Sequence, residues 1–267
     1  MAAARTTRPA LTRPADRTGR DTPHRPRRGS PPSRATVREL RRRLARAFGP
    51  LQPPRTWDPV EELVLTVLSQ NTSDTNSGRA FEELRRRYPT WERLAAASPD
   101  DVADAIRSGG LANIKAPRIL AILDEIAERQ DGRIDLSWMR SASDDEVRDY
   151  LLSLPGVGPK TAACVLAFSL GRPALPVDTH VHRVARRLGF FGDRVDAARA
   201  HVVMQELVVP SMRVDMHVGM IRLGREICRA GRPRCEECPL NDLCPTVPRA
   251  GRPPPARERT RRGDEVT

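Results

Sequence analysis

Apolar side chains recur at spacings of three and four along most of the chain between residues 35 and 247. Glu61 to Gln70, Ala80 to Arg87, Asp101 to Arg107 and Arg118 to Ala127 all carry Leu, Val, Ala, Ile or Phe on one helical face. Helix starts are punctuated: Ser98-Pro99-Asp-Asp supplies an N-cap followed by proline and acids, and Ser143 precedes Asp144-Asp145-Glu146. Short polar or glycine connectors such as Ser108-Gly-Gly110 separate the segments, and no alternating run is long enough for a sheet. The pattern predicts an all-α protein. It fades at both ends. Residues 1–34 are rich in Arg, Pro, Thr and Ser with few large apolar side chains, which predicts a disordered basic arm, and residues 248–267 predict a second disordered tail.

Leu151 to Leu154 closes one helix, Pro155-Gly-Val-Gly158 turns, and Pro159 suits the first position of a second helix running from about Lys160 to Leu170. Gly156 and Gly158 free the backbone and bare its N–H groups, and a bare peptide corner at a helix start attracts phosphate. The fuller pattern, an apolar residue, Pro-Gly-apolar-Gly and then Thr-Ala-Ala, is that of a helix-hairpin-helix clamp on a DNA backbone. Eighteen residues beyond Lys160, Asp178 is placed to cap a helix starting at Thr179, or to present a carboxylate to Lys160, or both. His180 and His182, two apart, point to different helical faces and are no metal pair, which leaves them packing or DNA contact.

Composition sharpens this picture at two points. The chain of 267 residues carries a net charge of +12, which calls for a polyanion, and an aromatic content of 4% favours double-stranded DNA over a single strand stacked on rings. Of its 46 basic residues only Lys115 and Lys160 are lysine. Arginine stays protonated, whereas a lysine amine can lose its proton and attack carbon. Lys160 falls in the first turn of its helix, where the dipole disfavours an ammonium; a nucleophilic amine and a simple phosphate contact both fit. No run of 18 apolar residues and no signal-like apolar segment occurs, so a soluble, cytoplasmic, nucleoid-associated monomer is expected, with no membrane partner. Cys228, Cys235, Cys238 and Cys244 are spaced by six, two and five residues, a tight loop that suits a [4Fe-4S] cluster better than a zinc ribbon with two separated knuckles. Arg229, Arg232 and Arg234 border it, as phosphate contacts or solvated charges. Cys164, one turn past Lys160, reads as a small buried thiol.

Taken together, Leu154-Pro-Gly-Val-Gly-Pro-Lys-Thr-Ala162, Val177-Asp-Thr-His180 and the cysteine spacing resemble the endonuclease III family of helix-hairpin-helix DNA glycosylases over roughly residues 35–247. The resemblance implies a six-helix domain over 56–172, and a second domain from 35–55 plus 173–247 bearing the cluster, with DNA in the cleft between. It implies that Lys160 attacks C1′ of a flipped nucleotide and forms a Schiff base, that Asp178 assists base loss, and that strand scission follows 3′ to the abasic sugar by β-elimination. It places Asn71, with Gln70 adjacent, where the family fills the gap left by the flipped base, against the simpler reading of a polar helix end. Gly156, Gly158 and Arg232, read from the residues themselves, are the further candidate DNA contacts. The sequence departs from the family at Leu152, where endonuclease III proper carries Glu, and at Gly219, where many relatives have Trp. Lys115 matches a family lysine, as a phosphate contact or a helix-start charge. A monofunctional glycosylase for alkylated or mispaired bases, or a non-catalytic metal-containing DNA-binding module, are the alternative functions.

Overall fold

The computed structural model describes residues 23–27, 30–51 and 58–247. Ser33 caps α1 (Arg34–Phe48) by accepting from Thr36 N at 3.2 Å, and Val37, Leu40 and Leu44 form its buried stripe. Asp58 opens α2 (Pro59–Leu68) with a capping box closed by Glu61, and Ser73, Thr90 and Ser98 cap α3 (Asp74–Arg87), α4 (Trp91–Ala95) and α5 (Pro99–Ala105). Then come α6 (Ala112–Arg129), α7 (Asp144–Ser153) with its Ser143–Glu146 capping box, and α8 (Pro159–Cys164). α9 (Thr179–Arg187), α10 (Ala197–Leu207) and α11 (Arg213–Glu226) complete the set. Among the described residues the structure is all helical, with no strand.

The second hairpin helix differs from its expectation. It stays α-helical only to Cys164 and then widens into a π-helical turn, Val165–Ser169. All five side chains of that turn are buried, so its pitch is set by what it packs against, which a local apolar pattern does not encode.

Two cores result. Residues from Val60 to Ala174 on α2 to α8 form the first. Val37, Leu40, Leu44 and Leu51 join residues from Leu175 to Cys244 in the second, so α1 packs on α11 although the first core lies between them in sequence. At Gly219 of α11 an added Cβ would stand 3.0 Å from Leu44 Cδ1 and 3.3 Å from Leu51 Cδ1, so α1 occupies the space that a larger side chain would need. A bidentate pair from Arg225 of α11 to Asp74 of α3, at 2.6 and 2.8 Å, ties the two halves, and the Phe168 and His217 rings meet across the same seam at 5.5 Å.

Most of the expected arm and all of the 248–267 tail lie outside the described residues. Within the arm, Pro26 is buried, His24 exchanges hydrogen bonds with Thr36 at 3.2 and 2.9 Å, and Arg25 donates to the Val247 carbonyl. Residues 23–27 thus lie against the second core without regular structure, held by contacts to residues distant in sequence.

Candidate active site and cluster loop

In the hairpin, Gly156 has φ +72°, and a Cβ there would lie 2.9 Å from Arg118 Cδ and Nε. The Arg118 guanidinium donates in turn to Gln70 Oε1 at 2.8 Å, fixing the end of α2 to the turn. Gly158 begins α8 without a side-chain cap, leaving first-turn N–H groups unclaimed by a side chain. Lys160 is half-buried in that turn.

Asp178 caps α9, its Oδ1 accepting from Val181 N at 2.7 Å, as the sequence predicts. Two buried imidazoles hold the extended residues that deliver it. His201 accepts from Val177 N at 2.9 Å through Nε2 while Nδ1 meets Ala197 O at 2.8 Å, and His217 Nδ1 donates to Pro176 O at 2.7 Å. Burial lowers both, His217 to about 4 against the pull of the Asp178 carboxylate, so both rings are neutral and act as fixed supports. α8 packs against α10, the helix of His201, which brings the hairpin and the second core together at one seam.

On the α2 side, burial pushes the Glu62 carboxyl up to about 7, with the Thr66 hydroxyl and the Lys160 ammonium pulling back. Burial also pushes the Cys164 thiol up to about 11, while Lys160 and Thr66 favour its charge. Cys164 is buried, as expected. Glu62, Thr66, His201 and His217 were not singled out by the sequence. For Glu62 and Thr66 a signal existed: two polar residues four apart inside the apolar face of α2. For the histidines none did.

The gap-filling candidates separate. Gln70 is bound to Arg118, whereas Asn71 is exposed in the left-handed region at φ 54°. Leu111, also left-handed at φ 51° and 49% exposed, stands on a neighbouring loop. Lys115 fixes the two loops together, its ammonium donating to Leu68 O at 2.7 Å and Gly109 O at 2.8 Å. Neither sequence reading of Lys115 survives: at 2% exposure it is an internal strut and not a phosphate contact or a helix-start charge. His180 and His182 take the packing role, with His180 Nδ1 at 3.1 Å from Arg183 and His182 Nε2 at 2.9 Å from Val195 O. Leu152 is 40% exposed on the hairpin.

The four cysteines of the loop wall one apolar cavity of about 140 Å³, shared with Val184, Leu188, Leu223, Ile227 and Arg187. All four are free. Burial raises Cys235, Cys238 and Cys244, Cys238 to about 11, so thiolates here call for a strong positive centre. A cavity of that size exceeds what one tetrahedral ion with bonds of about 2.3 Å requires, and the donor set fits an iron–sulfur cluster. Arg187 donates to Cys228 Sγ at 3.2 Å and to Arg229 O and Ala230 O at 2.8 and 3.0 Å, while Arg183 binds Cys228 O at 3.0 Å and Gly224 O at 2.8 Å. Arg187 and Arg234 line the cavity, whereas Arg229 and Arg232 do not. Arg229 and Arg232 are exposed, and Arg234 pairs with Glu237 at 2.8 Å.

Residues 64–210 match the model of the HhH-GPD superfamily base excision DNA repair proteins, and residues 228–244 match the iron-sulfur binding domain of endonuclease III, a range that begins and ends on cysteine. The chain is 37% identical to Endonuclease III of Thermotoga maritima, over 81% of this chain and 95% of that one. It is 33% identical to Thymine-DNA glycosylase of Aeropyrum pernix, over 78% and 94%. A solved trapped endonuclease III–DNA covalent intermediate superposes with a TM-score of 0.69 at 30% identity, covering 79% of this chain and 95% of that one. With its hairpin, its helical fold and a [4Fe-4S] cluster loop, the chain belongs to the endonuclease III family of HhH-GPD base excision repair DNA glycosylases.

Proposed function

We propose that the protein is a bifunctional DNA glycosylase and abasic-site lyase acting on damaged bases in double-stranded DNA. The observation that carries the reading is Lys160, a half-buried lysine in the first turn of the hairpin's second helix, α8, which packs on α2 and meets α10 of the second core. Its Nζ attacks C1′ of a flipped nucleotide, the glycosidic bond breaks, and the base leaves with the bonding pair and takes up a proton. Asp178 stabilises the cationic sugar. The C1′–O4′ bond then opens with its pair on O4′, which takes up a proton as Nζ gives one up, leaving an imine; the imine loses a C2′ proton, and the 3′ C–O bond breaks with its pair leaving on the phosphate. Flipping costs a few kcal/mol, less at damaged pairs. Asn71, with Gln70 behind it and Leu111 alongside, enters the vacated space. The amides at Gly156 and Gly158 hold backbone phosphate, and Arg232 adds an exposed charge near the cluster loop.

Cys228, Cys235, Cys238 and Cys244 hold the [4Fe-4S] cluster, which when bound supplies a rigid, redox-capable anchor for the loop. No helix among the described residues is long and apolar enough to cross a membrane. A second reading has one specific support: the similarity to a thymine-DNA glycosylase, together with Leu152 in place of a hairpin Glu, favours a mispaired base removed without covalent attachment. Borohydride trapping on abasic duplex separates the two, since only an imine is reduced to a stable adduct. The wild type is expected to give the adduct and Lys160→Arg none. Absence of a wild-type adduct, with base release retained on a lesion panel, selects the monofunctional reading.

A further inference from the structure

Two exposed, left-handed residues, Asn71 and Leu111, stand on loops that are held by one helix. Lys115 and Arg118 lie three residues apart on one face of α6. The Arg118 guanidinium donates to Gln70 Oε1 at 2.8 Å, beside Asn71. Lys115 grips both loops at once. Its ammonium donates to Leu68 O at 2.7 Å, just before the turn that carries Asn71, and to Gly109 O at 2.8 Å, just before Leu111. Its backbone N–H donates to Leu111 O at 3.0 Å, so the Leu111 loop is tied on both sides of its tip.

Packing alone does not ask for a lysine here. At 2% exposure the ammonium is out of water, which is costly for a charge. Methionine would fill a similar space without that cost. What the lysine adds is a bridge: it satisfies the carbonyl of Leu68, the last residue of α2, at the negative end of that helix's dipole, and it satisfies Gly109 as well. The Gly109 side has no slack, since a Cβ there would stand 3.0 Å from Ala80 Cβ on α3. A compact ammonium suits carbonyls converging from two loops, whereas a guanidinium presents a planar fork matched to a carboxylate. That distinction matters in a chain with two lysines among 46 basic residues.

We propose that Lys115 is a positioning residue for base flipping, its ammonium fixing the separation of the Asn71 and Leu111 loops so that both side chains enter the duplex together. The inference rests on the reading that these two residues fill the space left by the flipped nucleotide. It gives Lys115 neither a DNA contact nor a chemical step. Without the bridge each loop keeps its own closing bond, Gln70 N to Val67 O and Gly110 N to Arg107 O, both at 3.2 Å, but the two are free to move apart. The pre-organisation of the inserting pair is then lost, and the cost falls on flipping. The hairpin between α7 and α8, which grips phosphate, is untouched.

The test uses the full-length holoenzyme and a duplex with a tetrahydrofuran abasic analogue opposite 2-aminopurine, whose fluorescence rises when it is pushed from the stack. Tetrahydrofuran carries neither base nor aldehyde, so no imine forms and the signal is blind to whether the enzyme is a lyase. Saturating wild type should raise the fluorescence to a clear plateau. Lys115→Met should reach about half that rise or less. Its affinity for undamaged duplex should stay within about threefold of wild type, because phosphate contacts set it. A loss of stability alone would raise the protein concentration needed and leave the saturated plateau where it was. A wild-type plateau in Lys115→Met, or a lowered one accompanied by loss of undamaged-duplex binding, overturns the inference. Should Lys115→Met not fold, Lys115→Gln carries the test: its shorter amide can hold one carbonyl and not both, so its plateau should also fall, and an unchanged one overturns the inference. Leu111→Ala keeps the bridge and removes a filler, so it too should lower the plateau. If it does not, or if wild type gives no rise, the gap-filling reading is overturned instead.

Discussion

Asp178 has two duties that one substitution can separate. Its Oδ1 caps α9, and its carboxylate charge acts across the seam. Asparagine caps a helix about as well as aspartate but carries no charge. Asp178→Asn is therefore expected to keep the melting temperature within the effect of about 0.5 kcal/mol while base excision falls by ~10²-fold or more, read as single-turnover base release. Equal losses of stability and activity would mean that capping is its whole role. The Asp178 cap and the placement of Lys160 in a first helical turn were legible in the sequence because they are local: a residue type, a proline or glycine beside it, and a helix start. The residues that support them were not. Val177 meets His201 and Pro176 meets His217 through contacts spanning 24 and 41 positions, and no pattern within one helix signals them. Lys115 shows the converse, a residue whose match to a family lysine suggested a phosphate contact or a helix-start charge and whose burial made it a strut.

At the scale of elements, caps were the most readable feature. Ser98 and Ser143 open α5 and α7 as their sequences require, since a cap depends only on neighbours within three positions. The π-helical turn after Cys164 was unreadable, because its five buried side chains answer to tertiary packing. The hairpin lies between these cases. Its glycines were evident, yet their tasks differ: Gly158 has open space around its missing Cβ, whereas Gly156 is left-handed and pressed on Arg118. Gly156→Ala is accordingly expected to cost about 1–2 kcal/mol from the backbone alone, and more if Arg118 must abandon Gln70. Gly158→Ala should cost less in stability, with its effect appearing in duplex affinity. Denaturant melts of both variants, beside their affinities for undamaged duplex, check the contrast.

On the scale of the molecule, the cluster loop governs one half of the protein more than the other. Leu240, Leu243 and Cys244 belong to the second core, while the first core, Val60 to Ala174, takes no residue from the loop. The loop reaches the active site through α9, whose C-terminal arginines hold Cys228 and Gly224 carbonyls and whose first turn hangs from Asp178. Binding free energy of a metal group at such a site is folding free energy for the elements that surround it. Removing iron from the holoenzyme with a chelator under mild oxidation should therefore leave the half built on α2 to α8 folded and loosen α1, α9, α10 and α11. In calorimetry one transition should split in two, the lower falling by roughly 15 °C for a loss of about 3 kcal/mol. Base release should fall further than imine trapping on abasic duplex, because Lys160 sits on α8 of the intact half whereas Asp178 rides on the loosened one. A single transition unchanged on iron loss, or both activities falling in parallel, would show that the loop does not act on the site through α9.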